Sequence, residues 1–133
     1  MKQIILDTNF LMVPLQFRVD IFSELNRICD FNYKLCIFEQ TIDELRSIMQ
    51  NQSLKYKKAA QFGLKLIKLK NIEIIKSENK DVDSLILDNL NKDTIIATQD
   101  MNLKRELVKR GASVIVLRQK KYLQLIKDTV TFS

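Results

Sequence analysis

Two aspartates stand where apolar runs stop. In IILDTN, Ile4, Ile5 and Leu6 lead into Asp7; in TIIATQD, residues 94–97 lead through Thr98 and Gln99 into Asp100. Such runs read as buried strands, so both carboxylates are expected just beyond a strand's carboxyl end. The chain has no histidine, which excludes mechanisms that turn on imidazole as base or proton relay. Catalysis would have to rest on carboxylates, hydroxyls, amines or a metal. Acids gathered at one place repel one another unless a cation lies between them, and hard divalent ions such as Mg²⁺ and Mn²⁺ take oxygen donors of this kind. Taken singly, each aspartate also has a plainer reading as a helix N-cap.

Two further acids lie on helical patterns. In TIDELRSIMQ (41–50), Ile42, Leu45, Ile48 and Met49 share one arc, with Glu44 at its edge and Asp43 pointing away. Thr41-x-x-Glu44 also matches a capping box, so Glu44 has two readings, cleft or cap. In DVDSLILDNL (81–90), Asp83 projects within the arc of Val82, Leu85, Ile86, Leu87 and Leu90, while Asp81 and Asp88 project on the other side. Asp81 suits an N-cap and Asp88 a solvated surface. A carboxylate on an inward arc needs a cation or an unusual hydrogen-bond set.

The elements that must hold these acids alternate. Strands are expected at 3–7, 34–38, 72–76, 94–98 and 112–117, and helices at 19–28, 41–50, 55–70, 82–90 and 102–111, the last stopped by Gly111 at a C-terminal cap position. Five apolar strands interleaved with helices imply an α/β domain with a mostly parallel sheet covered on both faces. Ligands of such sheets gather beyond the carboxyl ends of the strands, where Asp7 and Asp100 are aimed. Pro14 is expected to end a short first helical turn and Met12 to pack in the core.

Length and charge narrow the class. At 133 residues one domain, spanning 1–133, is expected. No apolar stretch approaches the length of a membrane span, and the N-terminal apolar run is too short for a secretion signal, so a cytoplasmic protein is expected. Cys29 and Cys36 have neither zinc-site nor disulfide-framework spacing. A net charge of +6 favours a polyanionic partner, most simply nucleic acid. An acidic metal pocket in a basic protein suits phosphodiester cleavage, with basic side chains holding the backbone. Lys104 and Arg105 follow Asp100 closely and are candidates for nucleic-acid phosphates. Arg118, Lys120, Lys121 and Tyr122 form a second basic cluster, read either as a nucleic-acid surface with an aromatic that can stack a base or as a charged strand exit. Lys57, Gln61, Lys65 and Lys68 share one face of the long helix, opposite a stripe of Ala59, Phe62, Leu66 and Leu69; a solvated amphipathic surface is the favoured reading there.

Taken in order, LDTN, DEL, VDSLI and ATQD resemble a PIN-domain nuclease, and their spacing covers nearly the whole chain. DTNFLMVPLQFRVDIFSEL is most similar to archaeal PIN proteins akin to the eukaryotic small-subunit ribosomal RNA processing nucleases. The resemblance implies a three-layer α/β/α sandwich and metal-dependent endoribonuclease activity. It makes Asp7, Glu44, Asp83 and Asp100 the catalytic, Mg²⁺- or Mn²⁺-binding cluster, with Asn9 and Thr98 as polar supports. Many relatives carry a further acid where this chain has Asn102, whose neutral amide can serve as a support but adds no charge. The family's toxin-type and rRNA-processing members share this core, so RNA is the expected partner, with an antitoxin, a ribosome-assembly partner and a homodimer left open and no membrane. A receiver-like domain would need an acid after the third strand, and a haloacid-dehalogenase-like phosphatase an acid where Asn9 stands. The stronger competitor is a PIN scaffold that binds RNA or a protein without cutting.

Overall fold

The computed structural model describes residues 1–127. Its strands are β1 (Lys2–Leu6), β2 (Tyr33–Phe38), β3 (Glu73–Ile75), β4 (Thr94–Ala97), β5 (Ser113–Arg118) and β6 (Tyr122–Ile126). Its helices are α1 (Val13–Phe17), α2 (Ile21–Ile28), α3 (Glu39–Asn51), α4 (Leu54–Leu69), α5 (Val82–Asp88) and α6 (Met101–Lys109), and a 3₁₀ turn, Thr8–Met12, links β1 to α1. One sheet runs β3-β2-β1-β4-β5-β6. All neighbours are parallel except β5 and β6.

The continuous apolar runs are explained by burial on both faces. Ile4, Leu6, Ile37, Ile95, Ala97 and Ile115 pack into one core with α1 to α4. Their alternates Ile5, Cys36, Phe38, Ile96 and Val114 pack with α5 and α6. The result is the expected α/β/α sandwich. Because β1 is flanked by β2 on one side and β4 on the other, the chain reverses its direction of winding between them, and the crevice at their carboxyl ends is the natural ligand position.

Several local expectations need correction. About five strands were expected; β6 is a sixth. RQKKYL is therefore not a strand exit but the turn of a hairpin, in which Arg118 pairs with Tyr122 and Lys121 N–H donates to the Arg118 carbonyl at 2.9 Å. Gln119 and Lys120 there take φ of 51° and 55°, a left-handed pair for which glycine or asparagine is the usual signal. Pro14 does not end a helical turn; it lies in the first turn of α1, where its missing N–H costs nothing.

The expected solvated face of α4 is found, with Gln61, Lys65 and Lys68 exposed, but of the expected apolar stripe only Ala59 and Leu66 are buried. Ala59, Ala60, Gly63, Leu66 and Ile67 are buried, whereas Phe62 and Leu69 are exposed. Small residues win because α4 lies close to the 3₁₀ turn: a Cβ on Gly63 would stand 2.9 Å from the Leu11 carbonyl oxygen. At the end of α6, Gly111 takes φ 79°, with its N–H on the Val108 carbonyl and the Ala112 N–H on that of Leu107, a Schellman cap. Cys29 and Cys36 are free and buried, and burial pushes the Cys36 thiol up to about 11. Among the described residues no helix is long and apolar enough to cross a membrane.

Candidate active site

Asp7 leaves β1 as the cap of the 3₁₀ turn. Its Oδ1 accepts the Thr8 N–H at 2.8 Å, and its Oδ2 accepts the Thr98 hydroxyl at 2.7 Å. Thr8 turns its own hydroxyl to Oε1 of Glu44 at 2.6 Å. At the end of β4 the Asp100 N–H donates to Thr98 Oγ1 at 3.1 Å, and Gln99 N–H donates to Asn9 Oδ1 at 3.0 Å. These bonds join the ends of the two central strands and the first turns of α3 into one network, with Asp7 and Thr98 almost wholly covered.

Above this network lies a cleft of about 320 Å³, lined by Asp7, Thr8, Asn9, Met12, Glu44, Ile48, Asp81, Asp83 and Asp100. All four acids singled out from the sequence reach it, and among the described residues no lysine or arginine lines it. Asp43 and Asp88 stay outside; Asp88 pairs with Lys80 at 2.9 Å.

The two readings of Glu44 are resolved by where its helix starts. α3 begins at Glu39, with Phe38 at the cap position, so Thr41 lies inside the helix, buried, and cannot cap it. Asp100 is both cap and cleft wall. Its Oδ1 accepts the N–H groups of Asn102 and Leu103 at 2.8 and 3.2 Å, leaving Oδ2 without a partner among the described residues.

Asp83 is exposed and lines the cleft, rather than lying within the apolar arc. α5 is only seven residues long, and at its first turn Asp83 faces the cleft, accessible as a residue but with its carboxyl partly withdrawn from water. Asp81 lines the same cleft although helical phasing sent it to the other side. It caps α5 with an extended backbone, φ −68° and ψ 157°, so the 100° step between helical residues does not apply to it. The spacing Asp-x-Asp across a helix start was the available signal. Thr8 was also missed as the support of Glu44.

Among the supports, Asn9 lines the cleft and Thr98 holds Asp7 from behind. Asn102 is not among the lining residues; its backbone N–H touches Asp100, while its side-chain oxygen accepts from Arg105 at 3.4 Å. Lys104 lies against the outer side of Asp100; Arg105 lies outside both the cleft and that neighbouring surface.

The electrostatics match the crowding. The Asp7 carboxyl is pushed up to about 6, chiefly by burial, with Asp83 and Glu44 adding to the rise and the Thr98 and Thr8 hydrogen bonds opposing it. The Asp83 carboxyl is likewise raised, by burial first and then by Asp100, Asp81 and Glu44. Like charges thus converge with no basic side chain between them, a donor set that suits a hard divalent cation. The acids line a common cleft without forming a cage: among the described residues no three carboxylate or thiol side chains come together tightly enough to enclose an ion. Magnesium-type sites, which keep several waters and use one or two carboxylates, do not require a cage.

Comparison with known proteins points the same way. Residues 4–120 match the family model described as a PIN like domain. The chain is 30% identical over 127 residues to a protein named Ribonuclease VapC4 from Methanocaldococcus jannaschii, covering 94% of this chain and 97% of that one. It is 30% identical over 118 residues to Ribonuclease VapC9 from Archaeoglobus fulgidus, covering 88% and 84% respectively. A solved structure described as the PIN domain endonuclease Utp24 superposes with a TM-score of 0.75 at 23% identity, over 97% of this chain and 96% of that one, a likeness of fold.

Proposed function

Because the chain belongs to the PIN-like domain family, we propose that it is a divalent-metal-dependent endoribonuclease whose catalytic group is Asp7, Glu44, Asp83 and Asp100. The observation that carries this reading is the convergence of those carboxylates on one cleft, with no basic side chain lining it, in a chain of net charge +6. The near full-length similarity to two proteins named ribonucleases supports RNA as the substrate.

Mg²⁺ or Mn²⁺ bound in this cleft, with Asp7, Glu44, Asp83 and Asp100 as its direct or water-mediated donors, would supply Lewis acidity, making water more acidic and stabilising the leaving oxygen. The chain's own residues set the geometry. Thr8 and Thr98 fix both oxygens of Asp7, and Thr8 fixes one oxygen of Glu44. Asp100 presents one free oxygen because its other is committed to α6. Asp83, with no hydrogen-bond partner among the described residues, is the most adjustable donor. Met12 and Ile48 give the cleft an apolar margin, which limits solvent around the acids and strengthens their fields.

The test is incubation of the purified protein with structured and single-stranded RNAs in Mg²⁺, Mn²⁺ or EDTA, with the cut ends mapped. Metal-dependent hydrolysis leaves 5′-phosphate and 3′-hydroxyl ends; a 2′,3′-cyclic phosphate would overturn the mechanism. RNA binding without cutting in any metal would assign the chain to a non-cleaving RNA module. Cuts confined to ribosomal precursor would place it in rRNA processing, and cuts in mature RNAs in toxin-type cleavage.

A further inference from the structure

Across Asp100 from the acidic cleft lies a second, smaller depression of about 40 Å³, whose wall includes Thr98, Asp100, Lys104, Leu117 and Arg118. Its charged residues come from different elements. Lys104 ends the first turn of α6, and Arg118 ends β5, the strand parallel to β4 on the side away from β1. Both therefore rise at the same end of the sheet as Asp7 and Asp100.

Several features mark this as more than a solvated rim. Arg118 is oriented: its Nε donates to Gln124 Oε1 at 2.8 Å across the hairpin, which leaves the terminal guanidinium nitrogens without partners among the described residues. Among the described residues neither Arg118 nor Lys104 enters an ion pair, whereas Arg27, Lys34, Lys80 and Arg110 do. The N–H groups of Asn102 and Leu103 at the start of α6 are taken by Asp100, so side chains must supply the positive charge.

We propose that Lys104 and Arg118 form a seat for one backbone phosphate of the RNA strand lying in the acidic cleft, next to the phosphate that is cut. The proposal rests on the ribonuclease reading and deepens it. Asp100 is the shared wall, so the seat sets the register between strand and cleft while reading no base. The oppositely charged neighbours divide the work: the seat holds a phosphate directly, and the cleft does so only through a cation.

The experiment compares wild type, Lys104→Ala, Arg118→Gln and the control Lys109→Ala, at the far end of α6. Steady-state cleavage of a single-stranded RNA in Mn²⁺ and anisotropy binding of the same RNA are measured over a range of NaCl. Binding is measured in an Asp83→Asn background so that it needs no cutting. Arg118→Gln keeps a donor for Gln124, and melting curves confirm folding. Each seat variant is expected to raise KM about fivefold with kcat within about twofold, and to lower the salt slope by about 0.7; Lys109→Ala should change neither. An unchanged slope and KM in Arg118→Gln, or an equal loss in Lys109→Ala, overturns the seat. Wild type that binds RNA without cutting defeats the nuclease reading alone, because the binding arm still judges the seat.

Discussion

Thr98 donates its hydroxyl hydrogen to Oδ2 of Asp7 at 2.7 Å across 91 residues of chain. The bond favours the charged carboxylate and opposes the effect of burial. Thr98→Val keeps the shape but removes the donor, so the Asp7 carboxyl is expected to rise further above about 6, and the fold to lose about 1–2 kcal/mol. Carbon-detected titration of Asp7 in metal-free protein checks this; an unmoved Asp7 would show that the hydroxyl does not tune it.

Asp7 also predicts a pH dependence of stability in EDTA. Its carboxyl binds a proton more tightly folded, at about 6, than at the ordinary 3.8. Between those values the folded state carries more protons than the unfolded one, so stability falls as pH rises through the window, by at most about 3 kcal/mol. Asp7→Asn should remove that slope. Urea midpoints of both proteins from about pH 4 to pH 7 measure it; a wild-type stability that rises relative to Asp7→Asn would reverse the sign and refute the assignment.

Asp83 faces Asp100, Asp81 and Glu44, all of which disfavour its charge. Asp83→Asn should therefore melt higher than wild type in EDTA, by on the order of 2 °C, and gain less from added Mn²⁺. A lower melting temperature with an unaltered Mn²⁺ response would mark Asp83 as a structural acid.

Position in the fold separates the proposed catalytic acids from their neighbours. Asp7→Asn, Glu44→Gln, Asp83→Asn and Asp100→Asn should each reduce metal-stimulated RNA cleavage by about a hundredfold or more. Asp43→Asn and Asp88→Asn, outside the cleft, should remain within about twofold. Initial rates at saturating Mn²⁺ decide the matter, and a dead Asp43→Asn beside an active Glu44→Gln would contradict the placement of α3.

Gly63→Ala gains helix propensity of about 1 kcal/mol but drives a Cβ to 2.9 Å from the Leu11 carbonyl, a backbone atom that cannot swing aside. A net loss of about 1–2 kcal/mol is expected. Since Leu11 belongs to the turn that carries Thr8, the Mn²⁺ stabilisation should fall as well. A more stable Gly63→Ala would show that α4 and the turn can separate freely.

The legible parts of this chain were those where one physical signal dominated. Asp7 and Asp100 could be placed because buried strands announce themselves as apolar runs, and a residue after such a run must emerge at the sheet's edge. Asp81 was sent the wrong way because helical phasing was applied to a cap, which is not helical. The α4 stripe holds at Ala59 and Leu66 but fails at Phe62 and Leu69, because bulky residues look like core whereas close approach to the 3₁₀ turn selects Ala60 and Gly63. β6 escaped because Tyr122 to Ile126 bury little beyond Leu123, and their turn has no glycine. Beyond its hairpin pairing with β5, β6 is tied by a contact distant in sequence: Leu123 N–H donates to Glu24 at 2.9 Å.

The strand order carries a consequence for timing. A chain emerging from the ribosome as far as α5 already holds Asp7, Glu44, Asp81 and Asp83, yet β1 still lacks its neighbour β4, and Asp7 lacks Thr98. The half-built sheet has an open edge at the very strand that carries the first acid, so the constellation is completed in a single late event when residues 94–100 pair. For a chain read as a ribonuclease, fragments ending before Thr94 lack both Thr98 and Asp100 of the proposed site, so they should be inert toward RNA, with cutting arriving only once most of the molecule has been made.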